Sequence, residues 1–317
     1  MPGSGLISIE KMVERLGKSH KQRYWVKPSE LRGLVKSGNA RKAVSRAGGD
    51  PDRLETLIQG WRASPGTSET AKMRAACAKV VYGDRGSLIQ KEMDRSTRAA
   101  EKAAGIEYEV KNVGKYTNEV GRAFQKGLTD DNVRRDIAAV AAVSQSMYDK
   151  PQVELWRGIR GNSSLAYLYE EAYTAVQEDP DAEITLDAGV LSSFSESPEV
   201  AQTFAGLSSG AGEEGNGFYF KVTVPRESIV MTHRLKGDLD PGNEGEQEVT
   251  VLTSGSIKIR ARDIVQAQDR PERGLEILAE KAERGEYTEP KTKKSTYSGT
   301  SLEEYSRQFA TYKAKWR

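Results

Sequence analysis

Three segments of this 317-residue chain set reactive side chains where a strand would present them. In "EQEVTVL" (246–252) alternation puts Glu246 and Glu248 on one face and Gln247, Val249 and Val251 on the other. The valines would anchor the strand, and the carboxylates would project together, about 7 Å apart along the backbone. An exposed pair of this kind is only a solvated strand end. Facing a cleft, it can stabilise a cation that forms during reaction. In "VELWRGI" (153–159) Val153, Leu155 and Arg157 share a face, so an arginine continues an apolar row. Its planar fork of donors suits a phosphate or a carboxylate, which leaves both a structural ion pair and an anion site open. Gly158 beside it would let a ligand approach the backbone.

"LSSFSESPEVAQTFA" (191–205) carries four serines, with Ser197 as a helix cap and Pro198 at the first helical position. No G-x-S-x-G elbow surrounds Ser193 or Ser195, and neither histidine has a recognisable partner, so a nucleophilic serine is disfavoured. A hydroxyl that orients a carboxylate or a sugar is chemically easier. The glycine-rich "GLSSGAGEEGNG" (206–217) lacks the Lys-Ser/Thr ending of a phosphate loop and leads into a strand, so it reads as a loop flanking a site.

Composition removes other chemistries. A single cysteine, Cys77, within the apolar "KMRAACAKVV", allows no internal disulfide and reads as a small buried side chain. Two histidines, His20 and His233, lie far apart and outside ligand spacing, so no metal site is expected. No apolar run approaches the roughly 20 residues of a membrane span, and the start of the chain does not have the order of a signal peptide. A protein without a membrane span, cytoplasmic or else packaged or delivered by a route the sequence does not show, is the expectation. Net charge is +2, yet residues 1–80 carry sixteen Lys/Arg against seven Asp/Glu. That excess of +9 marks a basic segment able to contact a nucleic acid or a target protein.

The elements that must hold these residues follow from pattern. Residues 5–80 read as helices broken by "SGNA", "AGGDPDR" and "ASPGTSE"; one helix starts at Asp50-Pro51 and carries Leu54, Leu57, Ile58 and Trp61 on one stripe. Helices continue over 84–150. Short strands follow at 153–159, 182–195, 217–225, 228–233, 246–252 and 256–267, with helices interposed only at "SLAYLYEEAYTAVQE" and "SPEVAQTFAG". This order predicts an α+β fold with a mixed or antiparallel sheet. The division expected is a basic helical module over 1–83, a central domain over 84–267 and a charged tail over 268–317.

Arg157 on one strand, Ser193-Phe194-Ser195 ending a second and Glu246-Gln247-Glu248 opening a third resemble, in order and spacing, the R–S–ExE signature of the mono-ADP-ribosyltransferases. That family includes enzymes of clostridial binary toxins and transferases carried by tailed phages. "KYTNEVGRAFQKGL", "SPEVAQTFA" and "FYFKVTVPRESIVM" are similar to the helix leading into that fold, the helix after its serine motif and its central strands; the resemblance spans about residues 85–267. It implies a two-sheet core and transfer of ADP-ribose from NAD, a substrate and not a bound cofactor, to an acceptor with release of nicotinamide. It further implies that Glu248 steadies the ribose cation, Ser193 orients Glu248, Arg157 grips the pyrophosphate, Gly158 backbone groups hold the nicotinamide amide and Phe204 stacks on its ring. Glu246 would serve the acceptor, with arginine of a target protein as first choice and a nucleic acid, held by residues 1–80, as the alternative; a non-catalytic virion or binding protein that keeps the fold is another. The family's Ser-Thr-Ser is Ser-Phe-Ser here, and the 206–217 loop lacks the arginine that relatives often use for a phosphate, leaving Arg160 as a stand-in.

Overall fold

The computed structural model describes residues 26–63, 67–103, 113–159, 181–206, 217–235 and 247–266, with 171–172, 174–175, 178–179 and 239. Among these, eight helices and six strands form an α+β fold. Seven helices come first: α1 (Pro28–Lys36), α2 (Ala40–Arg46), α3 (Pro51–Ala63), α4 (Ser68–Tyr82), α5 (Gly86–Ala103), α6 (Val113–Thr129) and α7 (Asp131–Ser146). The strands β1 (Gln152–Ile159) and β2 (Glu183–Ser195), helix α8 (Pro198–Gly206), and strands β3 (Phe218–Pro225), β4 (Ile229–Thr232), β5 (Glu248–Arg260) and β6 (Ile264–Gln266) follow.

The helix starts obey their sequence signals. The Asp50 carboxylate accepts from the Asp52 and Arg53 amides at 3.0 and 3.2 Å, so Asp50-Pro51 opens α3 as predicted. Leu54, Leu57 and Ile58 are then buried along its inner stripe. Thr67 caps α4 through the Thr70 amide at 3.2 Å. In α4 nearly every turn is lined with small or apolar buried residues, and burial pushes the Cys77 thiol up to about 12.

The strands form one antiparallel sheet in the order β4-β5-β2-β1-β3-β6. β1 and β3 pair along all eight residues, and β2 pairs with β5 from Glu183↔Arg260 to Ser195↔Glu248. Between β1 and β2, however, there is a single rung, Trp156↔Ser195. The two sheets expected are therefore one, narrowed to a waist. A second correction concerns 246–267, predicted as two strands divided at Gly255. β5 runs through that glycine, because Gly255 (φ 95°) faces Gly189 (φ 69°) across a bulge that absorbs the irregularity. A Cβ on Gly255 would stand 2.4 Å from the Tyr82 hydroxyl.

Packing crosses the boundary predicted at residue 83. One apolar cluster joins Leu57, Met73, Cys77 and Val80 to Ile137 of α7 and to Val190, Leu191, Val230 and Leu252 of the sheet. Another joins Leu31, Val44, Leu54 and Ile58 to Val140, Val143 and Met231. Helices α4 and α7 thus lie on one sheet face, and α1, α2 and α3 pack onto them in the same clusters, so the first helices share a core with the sheet. Each large apolar side chain so buried contributes about 1.5–3 kcal/mol. The other face holds Val153, Leu155, Phe194, Phe220, Val249 and Val251. No described helix is long and apolar enough to cross a membrane. The predicted tail over 268–317, the glycine-rich loop from 207 to 216 and most of the helix expected near 164–178 lie outside the described residues.

Candidate functional site

Glu248 is the first residue of β5, and the backbone around it is pinned from two sides. The Glu196 amide donates to the Gln247 carbonyl at 3.1 Å, and the His233 amide to the Glu248 carbonyl at 2.7 Å. Gln247 is left-handed, with φ 45°, the only described non-glycine residue with positive φ. For a residue with a Cβ this conformation is strained by about 1 kcal/mol. Strand alternation therefore stops at Glu248, and the spacing that predicted a shared face for Glu246 and Glu248 does not extend across Gln247. Glu246 itself lies outside the described residues.

β2 runs antiparallel beside β5 and brings Ser193 to the glutamate. Ser193 is exposed, while its neighbours Ser192 and Phe194 are buried. Its hydroxyl donates to Glu248 Oε1 at 2.6 Å, the short distance of a charge-assisted hydrogen bond. Ser195 acts elsewhere. Its buried oxygen accepts from the Ser197 amide at 3.1 Å, and Ser197 in turn caps α8 at the Val200 amide at 3.2 Å. The second serine of the motif thus shapes the turn into the helix.

Arg157 lies on β1 with its guanidinium 5.6 Å from the centre of the Phe194 ring, the residue next to Ser193. Its Nη1 is buried and, among the described residues, has neither a hydrogen-bond partner nor a carboxylate in ion-pair range. Burial pushes its pKa down to about 10, and the nearby charge of Arg74 adds to the shift. No direct contact to Ser193 or Glu248 accompanies this, so the three predicted residues form one bonded pair and an adjacent cation. Of the two readings open for Arg157, the structural ion pair has no partner among the described residues. Gly158 is explained by packing: a Cβ would meet the Ala201 carbonyl at 2.0 Å, so the close approach it permits is that of α8. Phe204 sits half-buried on that helix, and Arg160 lies outside the described residues.

Two residues that pattern reading missed complete the surroundings. Trp61, read as the last member of the α3 apolar stripe, donates its indole Nε1–H to Glu248 Oε1 at 3.1 Å. Arg74 of α4 lies over the Trp61 ring at 5.7 Å, with Nη1 3.4 Å from Glu92. A contact across 187 positions leaves no trace in spacing; the one hint is that a tryptophan on a buried stripe needs a partner for its N–H.

Behind the site Glu196 forms a clasp. It accepts from the Tyr148 hydroxyl at 2.5 Å and from Arg234 at 2.7 and 3.2 Å, with His233 Nε2 3.3 Å away. Burial alone would push its carboxyl up; the neighbouring His233 and the donors Arg234 and Tyr148 outweigh it and hold it at about 2. Several described arginines of the first 80 residues, by contrast, are engaged in ion pairs within the fold. Arg32 pairs with Asp149, Arg41 with Asp52 and Glu55, Arg46 with Glu30, and Arg53 with the buried Asp136.

No protein-family model, curated protein or solved structure matches the chain.

Proposed function

We propose that the protein is an NAD-dependent mono-ADP-ribosyltransferase that transfers ADP-ribose to arginine side chains of a target protein. The observation that carries this reading is a carboxylate held by a serine, Ser193 to Glu248 at 2.6 Å, beside an arginine with a buried and unpartnered Nη1. An uncompensated guanidinium in a protein interior is unfavourable and suits an anionic ligand. A fixed carboxylate suits a ribose whose anomeric carbon becomes cationic as nicotinamide departs.

In this mechanism Arg157 receives the diphosphate of NAD, which gives its buried Nη1 a partner. Glu248 faces the nicotinamide ribose and stabilises positive charge at its anomeric carbon while the bond to the nicotinamide nitrogen breaks. Ser193 keeps the carboxylate from turning away, and Phe204 offers its ring to the nicotinamide. A guanidinium nitrogen of the acceptor then bonds to the anomeric carbon and loses one proton, which Glu246 takes. The products are ADP-ribosyl-arginine, nicotinamide and that proton.

Incubation with NAD labelled in its adenylate half and a cell lysate, with nicotinamide release measured in parallel, tests the assignment. Label that resists nuclease and is lost to protease is expected, together with a fall on the order of 10²-fold or more in Glu248→Gln. Label removed by nuclease would move the acceptor to nucleic acid. Failure of the parent protein to release nicotinamide or label anything, with Glu248→Gln indistinguishable from it, would leave a non-catalytic binding protein.

A further inference from the structure

We propose that Trp61 is a positioning residue for Glu248, so that the amino-terminal helices form part of the site and do not merely deliver it to a target. The inference rests on the transferase reading in taking Glu248 as the carboxylate at the reacting centre. Its own ground is geometric. The Trp61 N–H and the Ser193 O–H converge on the same oxygen, Oε1, at 3.1 and 2.6 Å. One donor comes from α3 and the other from β2, so the carboxylate is gripped from two directions. A single donor leaves a carboxylate free to swing about that bond; two fix the plane of the group. Among the described residues Oε2 receives no donor, and it is therefore the oxygen left to face a ligand.

The indole is itself held in place. Its ring packs against both apolar clusters that join the helices to the sheet, and the Arg74 guanidinium lies over its face at 5.7 Å. The preceding residue, Gly60, ties the end of α3 to the start of α4, for its carbonyl accepts from the Thr67 and Thr70 hydroxyls at 2.9 and 3.2 Å. A donor locked on both ring and backbone loses little freedom when it binds the carboxylate, which is what preorganisation of a reacting group requires. A tryptophan that served packing alone would need only its ring, whereas here the polar edge of the indole is directed at the one glutamate that also bonds Ser193.

Trp61→Phe keeps the ring for packing and for Arg74 while deleting the N–H. In the full chain its kcat for nicotinamide release is expected to fall about 10- to 100-fold, with KM for NAD within about twofold of the parent. The four tryptophans give separate indole N–H signals in a proton–nitrogen correlation spectrum. The signal missing from Trp61→Phe identifies Trp61, and in Glu248→Gln that signal is expected to move towards the position of a weaker hydrogen bond. An unchanged kcat in Trp61→Phe, or an indole signal indifferent to Glu248→Gln, overturns the proposal. So does a loss of kcat that comes with a large rise in KM and a lowered melting temperature, because that marks a structural role. A parent chain that releases no nicotinamide overturns the transferase reading instead, and the catalytic meaning of the contact with it.

Discussion

Arg157 is the residue at which stability and the proposed activity oppose each other. Burial and the neighbouring charge of Arg74 both disfavour its protonated form, and no described carboxylate offsets them. Interior cations in this position are commonly outperformed in stability by apolar side chains of similar volume. Arg157→Met is therefore expected to raise the stability of the ligand-free protein by about 1 kcal/mol while reducing nicotinamide release at least tenfold. Urea unfolding with and without NAD checks this. The parent should gain stability from NAD and the variant should not; a variant less stable than the parent would show that Arg157 has a stabilising partner.

At the scale of elements, the Glu196 clasp joins the end of β2 to β4 and to the end of α7 through Arg234, His233 and Tyr148. Its carboxyl is held at about 2 against a usual value of 4.5, so the charged form is favoured in the folded state. The resulting stability is fully present above pH 4.5 or so and is lost as pH falls towards 2. It amounts to about 2 kcal/mol at neutral pH. Glu196→Gln is accordingly expected to lower the urea midpoint at pH 7, and the gap between variant and parent should close as unfolding is measured from pH 5 down to pH 2.5. A gap that does not change with pH would assign the clasp to hydrogen bonding of a neutral group. Most strand positions were legible in the sequence because β-branched and aromatic runs bounded by Gly, Pro and Ser report the period of a strand directly. Glu248, Ser193 and Arg157 could be singled out for the same reason. What stayed hidden depends on neighbours remote in sequence: the bulge that carries β5 through Gly255 needs Gly189 opposite it, the left-handed Gln247 needs the amides of Glu196 and His233 on either side, and Trp61 finds its acceptor on a strand 187 positions away.

For the whole molecule, the apolar clusters matter more than the charge division along the chain. Leu57, Met73 and Cys77 pack on Leu191, Val230 and Leu252, so removing the helices before residue 83 would bare a sheet face that has no polar alternative. The sequence could not show this, since a count of charges along the chain does not register which apolar faces of the same helices belong to a common core. The waist of the sheet has a different kind of consequence. With β1 and β2 sharing one rung, Trp156↔Ser195, the ladders on either side meet at a single pair of residues, and the halves are otherwise joined by side chains of the common apolar cluster. A tilt of the halves about that rung would leave the long ladders β2–β5 and β1–β3 intact and is expected to be the softest motion of the sheet. Arg157 rides on one half and the Ser193–Glu248 pair on the other, so such a tilt would set the separation between the proposed diphosphate anchor and the carboxylate. Native-state amide exchange should register this as faster exchange at the waist than in the interiors of the two ladders, slowed when NAD spans the two halves. Equal protection across the waist, with or without NAD, would show a sheet that moves as one plate.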